Sequence, residues 1–528
     1  MYEIVIVGSG VSGTSAALHF SDKGIKPCII DVGLNPYMEP RINENFYMYR
    51  EKKDCFDIMV GEQWEGLYNL MRLDNAIPAK LTSPAMRFVI DRSHEFNPVK
   101  QNNFSLIQSF SRGGLANAWG AGLYRYNDRD LESFPIKASD LSFFYDRLSN
   151  EIGISGENDD LTSYFGKDNS LQRPLQHSEN ASRLYKNYMR KKERLNRKGI
   201  FVGHPRLGVL SEKKNGRKPC DYRNLEFWKP NLPYIYTPSL TLERLIKEKK
   251  VLYKNNLLVK SWQRKNSYLV LKAESIENRN TVYIKCKKLV LAAGAVNSAK
   301  IALASRQDYQ TKLSLLDNHA VQLPFVLPGR IGARLETDAF GLTQLNLIYD
   351  SRYFNTLFQG SILEVTSPAR AEFFKEFPFS ASENISLIRL VLPSLLVMQL
   401  FLPVSRKDSA SFHLNRNGEI VIRGKKKKIN DELIKDLVKI LRMLGGYTAP
   451  FLVVKAENGH GIHYGGTLPM TDSPSREYTC SRCGELYGEP GVYVVDGSLF
   501  PVIPAKNSSF TIMANAMRIA DHISSLKG

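Results

Sequence analysis

The chain opens with a short apolar, β-branched run, Tyr2-Glu3-Ile4-Val5-Ile6-Val7, that leads straight into Gly8-Ser9-Gly10-Val11-Ser12-Gly13. Few folds accept that start. Thr14 to Ser21 has helical spacing on Ala16, Ala17, Leu18 and Phe20, and Asp22-Lys23-Gly24 stops it. Cys28-Ile29-Ile30 then reads as a second strand that ends on Asp31 and Gly33. Strand, G-x-G-x-x-G turn, helix, strand and acid in this order predict a βαβ dinucleotide-binding unit. Gly8 makes the tight turn, Gly10 lets a pyrophosphate approach the backbone, and Gly13 lets helix and strand pack closely. The free N–H groups at the helix start, with the helix dipole behind them, hold the pyrophosphate. Asp31, about twenty residues after the motif begins, stands where a ribose-binding acid belongs. The glycine pattern alone would mean only a flexible turn; its context makes it specific.

A chain of 528 residues has room for two or three domains with substantial cores. Its 43% hydrophobic and 24% charged content is that of an ordinary globular protein. Lys and Arg number 72 against 53 acids, a net charge of +19, which suits nucleic acid, an anionic membrane or a phosphorylated substrate. No nucleic-acid-binding motif accompanies the charge, so nucleic acid is not expected as a partner. The clusters from Arg190 to Lys198 and from Arg423 to Lys428 read as a solvated helix face and a basic loop. Six scattered cysteines make no disulfide framework, and Cys480-Ser-Arg-Cys483, without a second such pair, is not expected to hold a metal. Reduced cysteines and an opening that runs directly into a strand, without a secretory pattern, set the expectation of a cytoplasmic protein. Ile385 to Val404 has the length of a membrane span but contains Arg389, Pro393, Gln399 and Pro403. It is expected to form core segments or the wall of an apolar pocket instead. Peripheral contact with a membrane stays open.

Along the chain, residues 35–99 read as loops and short elements covering a ligand, and Phe104 to Gln108 as a short strand. Ser111 to Gly122 packs four glycines among small side chains, which implies close approach of backbone to a flat group. Helices are expected over Leu141–Ile152, Ala181–Asn196 and Leu242–Lys249, and strands over Val251–Tyr253, Leu257–Trp262, Ser267–Ala273 and Thr281–Tyr283. Lys288 to Leu291 reads as a separate buried strand, followed by a Gly-Ala turn and a helix from Ala299 to Ser305. From about 306 to 450 the alternation in Thr343–Tyr349, Ser409–Leu414 and Glu419–Arg423 predicts an antiparallel sheet, with one helix over Asn430–Leu444. Val492–Val495 and Ser509–Ser524 return to a strand and a helix.

Five separated motifs, in order, resemble the glucose–methanol–choline (GMC) flavoprotein oxidoreductases. They are Gly8 to Gly13 with Asp31 and Gly33; Gly113-Gly114-Leu-Ala-Asn117-Ala-Trp-Gly120; and Leu291-Ala-Ala-Gly294-Ala-Val-Asn-Ser298. His463-Tyr-Gly-Gly466-Thr467-Leu-Pro-Met470 follows, and then Val494-Val-Asp496-Gly-Ser498 with Asn507-Ser-Ser-Phe-Thr511-Ile-Met-Ala514. The Asn507 arrangement is most similar to the cholesterol-oxidase-like and choline-oxidizing branches, which pair a histidine with an asparagine. The resemblance implies FAD as cofactor, held by Gly8, Gly10, Gly13, Asp31, Gly113, Gly114, Asn117, Val259, Gly294, Asp496 and Asn507. It implies His463 as the base that takes the hydroxyl proton of an alcohol and Asn507 as its partner on the substrate oxygen, with His460 the local competitor. The fold class expected is α/β, α+β overall: a discontinuous Rossmann-like FAD-binding domain (1–34, 105–125, 235–305 and 462–528) and an antiparallel-sheet substrate domain. Residues 35–104, 126–234 and 306–461 supply the cofactor-covering and substrate-binding segments.

The reaction expected is oxidation of a CH–OH group on a sugar-like, polyol or other alcohol, with oxygen, a quinone or a protein as final electron acceptor. The basic surface favours a phosphorylated or nucleotide-linked saccharide, while 385–404 keeps an apolar substrate in view. Two other readings stand beside it: an NAD-dependent Rossmann enzyme sharing only the first motif, and a catalytically silent FAD-binding protein acting at an anionic surface.

Overall fold

Ile4, Val5 and Ile6 are almost wholly buried, because their strand lies inside a sheet covered on both faces. In the computed structural model, which describes residues 1–52, 55–68, 77–365, 380–425, 429–474 and 477–526, that sheet has seven strands. Its order is Leu252–Lys254, Cys28–Ile30, Tyr2–Val7, Thr281–Leu291, Tyr268–Ser275 and Leu257–Lys265, with Val492–Val494 also on Thr281–Leu291. The five strands around Tyr2–Val7 are parallel, in registers such as Val5 opposite Cys28, Ile6 opposite Val290 and Val494 opposite Leu291. Their carboxyl ends therefore open on one edge, where ligands bind in such sheets. Helix Val11–Asp22 is buried along Ala16, Ala17 and Leu18 and packs on the C-terminal helix Ser509–Ser525, which also meets helix Ala138–Ile152.

Three sequence expectations are corrected in this layer. Thr281–Tyr283 and Lys288–Leu291 belong to one continuous strand that changes partner midway. Its first half pairs antiparallel with Leu269–Glu274, its second half parallel with Tyr2–Val7. Lys285 and Lys287, which break the apolar pattern, point alternately to solvent without interrupting it. The next helix begins at Gly294, not Ala299, so its free N–H groups lie directly at the strand end. Phe104–Gln108 is not in a sheet. Its backbone donors go elsewhere: Ser105 N–H to the Asn458 carbonyl at 2.8 Å, Leu106 N–H to Gln101 Oε1 at 2.9 Å, and Ile107 N–H to the Tyr464 hydroxyl at 3.0 Å.

The second layer is a six-stranded antiparallel sheet in the order Val454–Lys455, His319–Val326, Leu395–Leu402, Thr356–Glu364, Thr343–Ser351 and Ile200–Gly203. One face carries Leu347, Ile362, Met398 and Leu400 into a core closed by helices Glu179–Asn196 and Asp431–Leu444. Alternation then turns Ser361, Leu363, Gln399 and Phe401 to the opposite face, which borders a cavity. The strands near 410–423 do not join this sheet, as the sequence suggested. Ala410–Leu414 and Ile420–Arg423 build a separate four-stranded sheet with Leu313–Leu315 and Val99–Asn102, the last pairing parallel. The apolar stretch 385–404 resolves into the end of helix Ala381–Val391, a tight turn and the strand Leu395–Leu402. Among the described residues no helix is long and apolar enough to cross a membrane. Of the basic cluster 423–428, Lys426 to Lys428 lie outside the described residues; Lys425 donates to the Lys407 carbonyl at 2.7 Å, away from the cavity.

Candidate active site

Between the two layers lies a cavity of about 440 Å³, within the usual range for small-molecule and cofactor sites. One end is lined by Gly8 to Ser12 and Asp31, the middle by Gly113, Gly114, Val259 and Gly294, and the far end by the antiparallel sheet, His463 and Asn507. Three helices, starting at Val11, Gly294 and Ser509, turn their N-terminal residues into this space. The positive ends of their dipoles favour negative charge there.

The glycines behave as the motif requires. A Cβ on Gly8 would stand 2.6 Å from the Ala292 carbonyl oxygen, and one on Gly13 would stand 2.0 Å from that of Gly8. A Cβ on Gly10 would meet nothing within 4 Å, because that face is open to the cavity. Ser9 joins two loops: its hydroxyl donates to the Asp31 carboxylate and accepts from Gly113 N–H at 3.1 Å. Tyr253 also donates to Asp31, at 3.3 Å, while burial pushes that carboxyl up to about 6. Asp496 borders the cavity and accepts from Gly294 N–H at 2.9 Å and from the Ser298 hydroxyl at 2.5 Å, so it fixes the start of that helix. Two expected residues do not face the space. Gly13 packs helix on strand, and Asn117 ties its loop together by donating to Ser111 Oγ and to the Arg112 and Gly114 carbonyls at 2.9 to 3.0 Å.

His463 and Asn507 line the same end of the cavity; His460 does not line it. The loop carrying His463 is folded around one carboxylate. Asp317 accepts from Gly459 and Gly461 N–H at 3.0 Å and from His463 N–H at 2.9 Å. The next residue sets the imidazole. Asn318 spends its amide N–H groups on the Leu402 and Pro504 carbonyls, at 2.7 and 3.0 Å, which leaves its Oδ1 facing His463 Nδ1 at 2.9 Å. An oxygen can only accept, so Nδ1 carries the hydrogen and Nε2 keeps the lone pair. Burial lowers this imidazole to about 4, so it is neutral at ordinary pH and its Nε2 lone pair is not protonated. Phe401 flanks the ring at 4.8 Å. Asn507 has a buried Oδ1 without a hydrogen-bond partner, an orphan acceptor at the cavity wall. It follows Lys506, a fully buried lysine that pairs with Asp130 and whose backbone carbonyl accepts from the Tyr126 hydroxyl at 3.2 Å.

Sequence reasoning missed Asp317, Asn318 and the cavity-facing Thr343, Ser361 and Gln399. They sit in the region without motifs, and only the strand register shows which of them face inward.

Residues 448–516, the stretch that holds both His463 and Asn507, match the family model described as GMC oxidoreductase. That stretch is similar to the C-terminal part of the GMC oxidoreductases. No curated protein matches the sequence. Among solved structures, pyridoxine 4-oxidase from Mesorbium loti is similar over 100% of both chains, with a TM-score of 0.61 and 13% identity. That likeness establishes a shared fold.

The His463 tautomer has a measurable consequence. With a neutral imidazole as base, kcat/KM stays level as pH falls from neutrality and drops only as His463 protonates near about 4. Asn318→Asp puts a carboxylate beside Nδ1, favours the imidazolium and moves that acid limb upward. A wild-type limb centred near the ordinary histidine value, unmoved by Asn318→Asp, excludes this assignment.

Proposed function

We propose that this protein is a GMC-type oxidoreductase that oxidises a CH–OH group of a small, uncharged alcohol, polyol or sugar-like, to a carbonyl. The cavity suits FAD: an open glycine face at Gly10, an acid at Asp31 and helix N-termini along its length match a pyrophosphate, a ribose and an electron-rich ring. Gly8, Gly10, Asp31, Gly113, Gly114, Val259, Gly294 and Asp496 would border it. When bound, FAD supplies the hydride acceptor. The protein supplies the rest. His463 Nε2 takes the hydroxyl proton, Asn507 holds the same oxygen in place, and Phe401 and Leu363 keep the site dry. The observation that carries the reading is the Asn318 contact, which leaves His463 with its lone pair on the nitrogen free to act as base.

The substrate class follows from the wall facing His463. Thr343, Ser361 and Gln399 offer hydroxyl and amide groups, and Leu363 and Phe401 are apolar; none carries charge. The lining lysines, Lys260 and Lys300, lie with Val259 and Asn297, and Lys300 donates to Asn97 at 2.6 Å. Burying a phosphate dianion among neutral groups is costly. The surface charge that points toward phosphorylated saccharides is therefore not carried into the site. Anaerobic bleaching of the flavin absorbance tests this across a panel of neutral polyols and sugars, their phosphate esters and long-chain alcohols. Neutral compounds are expected to reduce it fastest. Preferential reduction by the phosphate esters refutes the substrate class, and no reduction by any CH–OH donor refutes the reaction.

A further inference from the structure

Large exposed hydrophobic side chains are thinly spread over most of this surface, yet one sheet edge concentrates them. Among the described residues, Ile331, Ile385, Leu390, Tyr447, Phe451, Leu452 and Val454 are all exposed, Phe451 to 85%. Hydrogen bonds bring them to one place. Tyr447 and Val326 exchange backbone bonds at 2.8 and 2.9 Å, and Val454 stands opposite Gln322, so residues 447–455 run along the outer side of His319–Val326. Beyond that strand, Leu327 N–H bonds to the Ser394 carbonyl at 3.0 Å and Gly332 N–H to the Leu390 carbonyl at 2.9 Å, which seats helix Ala381–Val391 beside Ile331. An edge strand with unpaired backbone and apolar side chains is normally blunted by charge. Here the ridge is apolar and the charge surrounds it.

That surrounding charge is cationic. Helix Glu179–Asn196, with six Lys and Arg against two Glu, reaches this corner through Asn187, which donates to the Leu444 carbonyl at 3.0 Å, and Lys191, which donates to the Met443 carbonyl at 2.7 Å. Arg389 and Arg442 are exposed on the adjoining helices. The nearby acids are matched locally: Glu383 caps its own helix with Ser380, Asp431 pairs with Lys455, Glu432 with Lys435 and Asp436 with Lys439. Aromatic and aliphatic side chains framed by cations have the chemistry of interfacial membrane binding: apolar groups enter the headgroup boundary while lysines and arginines meet anionic lipid.

We propose that this edge docks the protein on an anionic lipid bilayer surface, peripherally and reversibly. The full-length protein is sedimented with phosphatidylcholine vesicles with and without phosphatidylglycerol, at low and high salt. Binding is expected to the anionic vesicles only, weakening with salt. Phe451→Asp with Leu452→Asp is expected to lower partitioning at least about tenfold, since two apolar anchors are lost. Arg389→Gln and Arg442→Gln are expected to lower it about fivefold each. Circular dichroism and thermal midpoints like those of the wild type show that the variants fold. Absence of binding to anionic vesicles overturns the proposal, as does binding that all four substitutions leave unchanged. A dimer in solution that Phe451→Asp dissociates also overturns it, because a second copy would then be the occupant.

Discussion

His463→Ala is expected to lose about 10²- to 10⁴-fold in the rate of anaerobic flavin reduction while keeping its cofactor and its fold. The structure separates these outcomes. The loop is held through the backbone N–H groups of Gly459, Gly461 and His463 on Asp317, and removing the imidazole leaves those bonds in place. What disappears is the one neutral nitrogen base at that end of the cavity wall, among the described residues. Asn507→Ala should slow the same step by a smaller factor, because orientation is lost and the base remains. Acting on one oxygen, the two substitutions should combine less than additively. Stopped-flow measurement with a reducing alcohol gives all three numbers. A His463→Ala variant reduced at the wild-type rate means that some other group takes the proton.

Gly10→Val is expected to weaken FAD binding by about a hundredfold, on the order of 3 kcal/mol, and to give a colourless preparation. Gly10 has φ −66°, which any residue adopts, and a Cβ there meets nothing within 4 Å. The free protein should therefore fold with a valine in that turn, and the side chain should obstruct only what fills the cavity. Gly8→Val differs: Gly8 has φ +99° and a Cβ would strike the Ala292 carbonyl, so that variant should fail at folding. Isothermal titration of apoprotein with FAD distinguishes the two. A folded Gly10→Val protein that binds FAD at wild-type affinity would remove the first turn from the cofactor site.

How far the sequence carries differs between the two layers. In the layer built on the seven-stranded sheet the glycines must sit where backbone approaches backbone, so Gly8 and Gly13 are legible as letters, and Asp31 follows from its distance to them. The long strand Thr281–Leu291 was legible only in pieces, since alternating lysines on its solvent side imitate a break. In the antiparallel layer, any apolar side chain that packs on helices Glu179–Asn196 and Asp431–Leu444 will do, and the cavity-facing positions follow a register that spans distant segments. Gln399 and Ser361 face each other across neighbouring strands, a relation no local window contains. Asp317 and Asn318 were silent for the same reason: their partners lie about 145 residues downstream.

The Asp317–Asn318 pair stands at the head of strand His319–Val326, and that placement governs what moves with what. His463, the proposed proton acceptor, is bolted to the antiparallel layer, the same layer whose Ser361 and Gln399 line the cavity. Small rocking of the two layers would therefore carry alcohol and base together as one cartridge. The reach of proton transfer would stay constant, and only the approach of the alcohol to the seven-stranded sheet would vary. Substrate preference could then be retuned on the strands of one layer without resetting the deprotonation step.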